Sequence, residues 1–364
     1  MQTNSSGLIL LDIILYLVAV FFSRKKAYNN SYQLILAYSA TLFFCLYAAW
    51  GGDYFHYLDD FELVKRGFQV NLEPVYYSII QHVGSFFQFR FIVWGGALFL
   101  FYLASRYAKV DKSLVLFCLV LCFLPRFSYA RASLAMSLLT LGCIIICKDQ
   151  KIKLFHYLLG ILIIFSSFAF HKSAFWGVLM ILLAVIFYKR MSVKTMVLLS
   201  VISPGVIIAL VAIITKIMAI NVDVDDTIIY AGQKYLGAEL GAKRGWGQVI
   251  EELLMRLSFY MVAILFILSV ARRHYDSMPK HIKVLSCTSF FTIVLSSAFA
   301  FDLGYATQVI YNRFLYYAQL PSAFFVAYCI TTGFARKWVR VVLYTGAFAA
   351  LYALIYSYYC SQFG

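Results

Sequence analysis

Six ionisable side chains stand at or within span ends on the outer side, where charge is costly: Arg126, Arg131, His171, Lys172, Arg256 and Arg313, and Glu73 joins them from the first loop. Their types suggest one chemistry. Guanidinium groups fork onto phosphate oxygens and do not deprotonate, so arginines drawn from distant parts of a chain suit a phosphate or pyrophosphate. Imidazole and carboxylate add what arginine lacks, a group able to accept a proton. Plainer readings stand beside these. Arg256 can pair with Glu252 one turn earlier, and Arg313 can anchor a helix end at the interface. His171 can be a hydrogen-bonded interfacial histidine, and Glu73, directly before Pro74, can cap a helix. The pair Arg126 and Arg131 is harder to explain so. The apolar run before them stops at Pro125, short of the ~20 residues a membrane core takes, and no long loop carries the two cations into water. Backbone that breaks at membrane depth persists only where it is buried in protein or lines a wet cavity, so both arginines are expected at a cavity wall.

The elements that must position these residues are helices in lipid. Hydrophobic residues make up 63% of the 364 and charged residues 13%, a balance outside the range of soluble domains. The expected fold is all-α, one transmembrane domain over 1–364, with about twelve membrane-spanning helices and a cavity open to the extracytoplasmic side. The predicted spans are 7–22, 32–50, 91–105, 113–125, 128–147, 154–170, 173–188, 195–219, 251–270, 284–300, 314–333 and 341–358. The first is too long, and too weakly charged ahead of it, for a cleaved signal peptide, and is expected to stay as a membrane anchor.

A net charge of +15 would suggest nucleic acid in a soluble protein, but its placement argues for topology instead. Six short segments between spans hold 19 of the 31 Lys and Arg residues: 24–26, 106–112, 148–153, 189–194, 272–283 and 336–340. Elsewhere basic and acidic residues balance, apart from Asp12 inside the first span. Cytoplasmic placement of the six segments gives strict alternation along twelve spans with both chain ends outward. The eight cysteines lie mostly in apolar runs, without metal-ligand spacing, and read as small packing residues. No HExxH, phosphate-binding glycine loop or nucleophile elbow occurs, which argues against ATP-driven work.

Two larger extracytoplasmic loops are expected, 51–90 and 221–250. The first mixes Asp53, Asp59, Asp60, Glu62 and Glu73 with tyrosines and phenylalanines; the second carries Asp223, Asp225 and Asp226 and ends in Lys243-Arg-Gly-Trp-Gly247. Aromatic faces cover the apolar side of a sugar while carboxylates take its hydroxyls. Interfacial aromatic belts explain the Tyr and Phe equally well.

Five motifs, in order, carry a resemblance. They are Gly52-Asp53-Tyr54 with Tyr57, Glu73-Pro74-Val-Tyr76, Arg131-Ala-Ser-Leu-Ala135, Phe170-His171-Lys172-Ser173-Ala174 and Tyr311-Asn-Arg313-Phe-Leu-Tyr316. This order resembles the EpsG family, which is similar to the Wzy-type polymerases of O-antigen, capsule and exopolysaccharide; Ala132 stands where the family pattern has a glutamine. The resemblance implies a multi-pass protein of the bacterial inner membrane that transfers a polyprenyl-pyrophosphate-linked glycan onto a lipid-linked repeat unit at the outer leaflet, without nucleotide sugar, metal or cofactor. Its partners would be the lipid-linked oligosaccharide, membrane lipid, a flippase and a chain-length regulator. His171 or Glu73 would be the base. Arg126, Arg131, Arg313 and Lys172 would hold the pyrophosphate, and Asp53, Tyr57 and Tyr316 the sugars. Three rivals remain: a ligase moving the finished glycan to another acceptor, a transporter or flippase, and a membrane acyltransferase. Inverted repeats would mark the transporter and are not visible.

Overall fold

The computed structural model describes residues 5–24, 31–47, 53–70, 72–127, 130–148, 154–202, 205, 246–297 and 305–363. At 5–9, 24, 53–56, 125–127, 130–131, 246, 248, 305–312 and 357–363 it describes the course of the chain alone. The described chain is helical, joined by short turns, with no strand among the described residues. In order the helices are α1 (Ser5–Arg24), α2 (Ser31–Tyr47), α3 (Asp53–Lys65), α4 (Pro74–His82), α5 (Phe86–Ala108), α6 (Lys112–Phe127) and α7 (Ala130–Cys147). There follow α8 (Leu154–Phe170), α9 (Ala174–Phe187), α10 (Val193–Ile202), α11 (Trp246–Ala271), α12 (Lys280–Ser296), α13 (Tyr305–Thr332) and α14 (Arg336–Phe363).

Each predicted span meets one of these helices. Four stretches, Phe86–Ala108, Val249–Ala271, Arg313–Thr332 and Arg336–Tyr356, are long and apolar enough to cross a membrane, and six further helices are shorter and apolar. Several boundaries differ from expectation, α13 starting at Tyr305 rather than 314, and of the span expected at 195–219 only 195–202 and 205 lie within the described residues. The third span grows to the 23 residues of α5, because Ser85 caps it by accepting from the Gln88 amide and Lys109 ends it in a left-handed conformation at φ 56°. The fourth does not stop at Pro125, since α6 continues to Phe127. The loop at 51–90 contains α3 and α4; of 221–250 only 246–250 is described, as the start of α11.

Two layers follow from burial. Helices α6, α7, α12 and α13 are buried on nearly all sides, every residue from Ala132 to Ile145 included. Around them α1, α2, α5, α8, α9, α11 and α14 turn Leu, Ile and Phe outward, among them Phe99, Leu162, Phe165, Ile186 and Phe348. So many exposed apolar side chains are stable only in contact with lipid. Close approach of α7 and α8 depends on Gly142 and Gly160: a β-carbon on Gly142 would stand 2.8 Å from the Gly160 carbonyl oxygen.

Proline inside α6 leaves a carbonyl to satisfy. Pro125 has no N–H to give to Leu121, four residues back, and the Tyr16 hydroxyl of α1 donates to that carbonyl at 2.9 Å instead. Four of the basic turns gather at one end of the bundle. His281 Nε2 reaches the Ala108 carbonyl at 3.0 Å, the Tyr275 hydroxyl donates to the Tyr188 carbonyl at 2.7 Å, and Thr332 Oγ1 meets His274 Nε2 at 3.2 Å. These contacts tie the turns at 109–111, 188–192, 272–279 and 333–335 together.

Candidate functional site

At the opposite end, four segments far apart in sequence meet. Glu73 occupies the N-cap position of α4 with Pro74 in the first turn, yet its side chain makes no capping bond. Instead Glu73 Oε1 lies 3.1 Å from His171 Nδ1, with the carboxylate side chain 6% exposed and the imidazole 14%. A carboxylate so enclosed, facing an imidazole, is a proton-handling arrangement: Nδ1–H donates to the carboxylate, and Nε2 is left to accept. His171 follows α8 in a tight turn, where its amide donates to the Ser167 carbonyl at 3.0 Å and its carbonyl accepts from the Ala174 amide at 2.9 Å.

The same turn reaches α13. Ser173 Oγ and the Tyr317 hydroxyl are 2.8 Å apart. Arg313, one turn from Tyr317 on the same helix, and Glu73 both act electrostatically on that hydroxyl. Trp176 of α9 packs on Phe314 at 4.5 Å between ring centroids, and Tyr76 of α4 packs edge-on to Phe170 at 5.8 Å. Rings from α4, α8, α9 and α13 therefore floor the polar group. Half-buried Arg313 lies one turn before Tyr317, whose hydroxyl meets Ser173 of the His171 turn. Such a set can take a proton from a hydroxyl and stabilise negative charge developing on a leaving group.

Of the residues expected from sequence, Glu73 and His171 meet, and Arg313 is linked to their turn through Tyr317 and Ser173. Lys172 lies in the His171 turn with an exposed side chain, and half-buried Tyr316 lies in the same turn of α13 as Arg313. Tyr57 is buried on α3 and packs in the hydrophobic core with Phe61 and Val64. The side chains of Asp53, Arg126 and Arg131 lie outside the described residues; along the chain, Arg126 falls in the last turn of α6 and Arg131 in the first turn of α7. Arg256 pairs with Glu252, Nη2 to Oε2 3.6 Å, the plainer of its two readings. A cavity of about 410 Å³, lined by His82, Val83, Phe87, Gln88, Phe91 and Ile92, opens at the α4–α5 turn and touches none of the candidate residues.

Sequence reasoning assigned no role to Ser173, Tyr317 or Arg90. Tyr317 was findable, because it sits four residues from Arg313 and hence on the same helix face. Arg90, buried in α5, donates through Nη2 to the Cys45 carbonyl in the last turn of α2 and lies 5.6 Å from the Phe86 ring centroid. It satisfies a carbonyl that the end of α2 would otherwise leave open.

Apolar helices in this number, a lipid-facing outer layer and a buried polar group at one end define a multi-pass membrane protein of the helical class. Within that class the chain belongs to the EpsG family, whose model matches residues 30–363; this is a Wzy-like polymerase family. No curated protein and no solved structure matches the chain.

Proposed function

We propose that the chain polymerises a bacterial surface polysaccharide, transferring a polyprenyl-pyrophosphate-linked glycan onto the terminal hydroxyl of a lipid-linked repeat unit. Family membership supports the polymerase class, and the grouping of Glu73, His171 and Arg313 supports the chemistry. The working topology has about twelve spans with the basic turns in the cytoplasm, which puts the site at the extracytoplasmic face of the inner membrane.

In this reading Nε2 of His171 removes the acceptor proton, and Glu73 fixes the imidazole tautomer and stabilises the imidazolium that forms. The acceptor oxygen attacks the anomeric carbon, and the bond from that carbon to phosphate breaks. Arg313, joined by Arg126, Arg131 and Lys172, neutralises the departing pyrophosphate, with no metal required. Asp53 and Tyr316 contact the sugars, whereas Tyr57, packed in the core, does not. A flippase would deliver the repeat unit and a chain-length regulator would end elongation.

The observation that carries the proposal is the Glu73–His171 contact, in a turn whose Ser173 bonds Tyr317 one helical turn from Arg313. Gel analysis of surface polysaccharide from a strain lacking the protein tests the class. Loss of the ladder with one repeat unit still attached supports a polymerase; loss of all attachment points to a ligase, and an unchanged ladder rejects both.

A further inference from the structure

The proposed reaction needs its base and its cation at a fixed separation, yet the two sit on different parts of the bundle. His171 hangs on the α8–α9 turn, whereas Arg313 rides on α13. Helix α13 runs on through Pro321 below it, but one backbone hydrogen bond short. Pro321 has no N–H for the carbonyl of Tyr317, four residues earlier, so the ring of hydrogen bonds that would stiffen the helix is open there. A cavity of about 10 Å³, lined among others by Thr140, Thr288, Tyr317 and Pro321, lies beside the missing bond. The part of α13 bearing Arg313 is therefore not held by its own helix alone.

Three contacts hold it from outside, all on the first turn of α9. Ser173 Oγ bonds the Tyr317 hydroxyl at 2.8 Å. Trp176 packs on Phe314 at 4.5 Å. Gly177 receives the Tyr317 ring so closely that a β-carbon there would stand 2.6 Å from Cδ1 of Tyr317 and 2.5 Å from Cδ1 of Leu139. Positions 314 and 317 share one face of α13, and 173, 176 and 177 share one face of α9, so the joint is a register and not a single touch.

We infer that Ser173 and Tyr317 are positioning residues: their hydrogen bond locks the Arg313 segment of α13 to the His171 turn above the missing bond at Pro321, and so sets the distance between cation and base. This rests on the assignment of His171 and Arg313 to the reaction. Neither Ser173 nor Tyr317 needs to touch substrate, and the effect of losing the bond is misplacement, to which transfer reactions are sensitive by as much as about a hundredfold per ångström.

The test uses the full-length purified protein in lipid nanodiscs with a synthetic lipid-linked repeat unit, comparing Ser173→Ala, Tyr317→Phe and the double variant. Each single variant is expected to lower kcat between about tenfold and a hundredfold with KM changed less than about twofold. The double variant is expected to be no slower than the slower single, because both remove one bond. Ser173→Thr, which keeps the hydroxyl, is expected to restore most of the rate. Full kcat in either single variant, a rise in KM alone, or rate losses that multiply in the double variant would each overturn the inference; so would a Ser173→Thr protein as slow as Ser173→Ala. His171→Ala runs alongside as the control for the parent reading. If it is fully active the assignment of the site fails, whereas an inactive His171→Ala with fully active Ser173→Ala and Tyr317→Phe sinks only the lock.

Discussion

The two ends of the bundle use the same residue types for different ends. At the basic end, His281, Tyr275 and Lys283 each bond a main-chain carbonyl, those of Ala108, Tyr188 and Asp276, and Tyr275 also meets Cys287 Sγ at 3.1 Å. Such bonds satisfy groups that helix ends leave open. At the other end, Glu73 meets His171 and Ser173 meets Tyr317, side chain to side chain across α4, α8, α9 and α13. Here the carboxylate faces one imidazole nitrogen, and the other can accept a proton. The lesson is that a partly buried histidine in a membrane protein says little until its partner is known.

Substitutions can break or sharpen this contrast. The largest effect is expected from His171→Ala, a fall in elongation rate of about 10²- to 10⁴-fold, set against little change per folded molecule in His281→Ala; comparable losses in the two would erase the distinction. Next comes the cation. Arg313→Ala and Arg131→Ala should each slow transfer by about 10²-fold or more, with Arg313→Lys recovering only part because a lysine cannot fork onto phosphate. Glu73→Gln keeps the shape but loses the charge facing Nδ1, and kinetics of the purified variant should reveal a loss of about tenfold to a hundredfold. Tyr275→Phe should cost about 1 kcal/mol in a denaturation assay and leave the turnover rate alone.

The smallest effect is a pH dependence at the basic end. His274 stacks on Phe334 at 4.2 Å and 2°, and burial holds its pKa below the ordinary value of 6.5. Its neutral form is favoured in the fold, so its contribution is present above the unfolded pKa and is lost as pH falls through the folded one. Replacing it with glutamine should flatten the acid side of the curve of thermal midpoint against pH.

How much of this was legible in the sequence varies by element. The long helices were, because runs such as 251–270 and 314–333 have no other stable home than lipid. Their ends were less so: nothing in the hydropathy of Phe86 to Arg90 announces that Ser85 starts α5, since the cap is a local bond and not a composition. Helix α3 was hidden by its mixture of acids and aromatics, although its buried set Tyr57, Asp60, Phe61 and Val64 follows the i, i+3, i+4, i+7 spacing of an amphipathic helix. In the site, residue type marked Glu73, His171 and Arg313 through the cost of charge near lipid. Their pairing was not legible, because 98 residues separate Glu73 from His171 and only the packing of α4 against α8 joins them. Ser173 and Tyr317 look ordinary in sequence; their meaning lies in a contact.

The central claim is that this end of the bundle elongates a lipid-linked glycan by itself. Purified protein in lipid, given only a synthetic polyprenyl-pyrophosphate-linked repeat unit with chelator present and no nucleotide, measures it directly. The account predicts a ladder of products that disappears in His171→Ala, with free polyprenyl pyrophosphate released in step with each bond made. A folded wild-type protein that forms no ladder, or a ladder undiminished in His171→Ala, would contradict it.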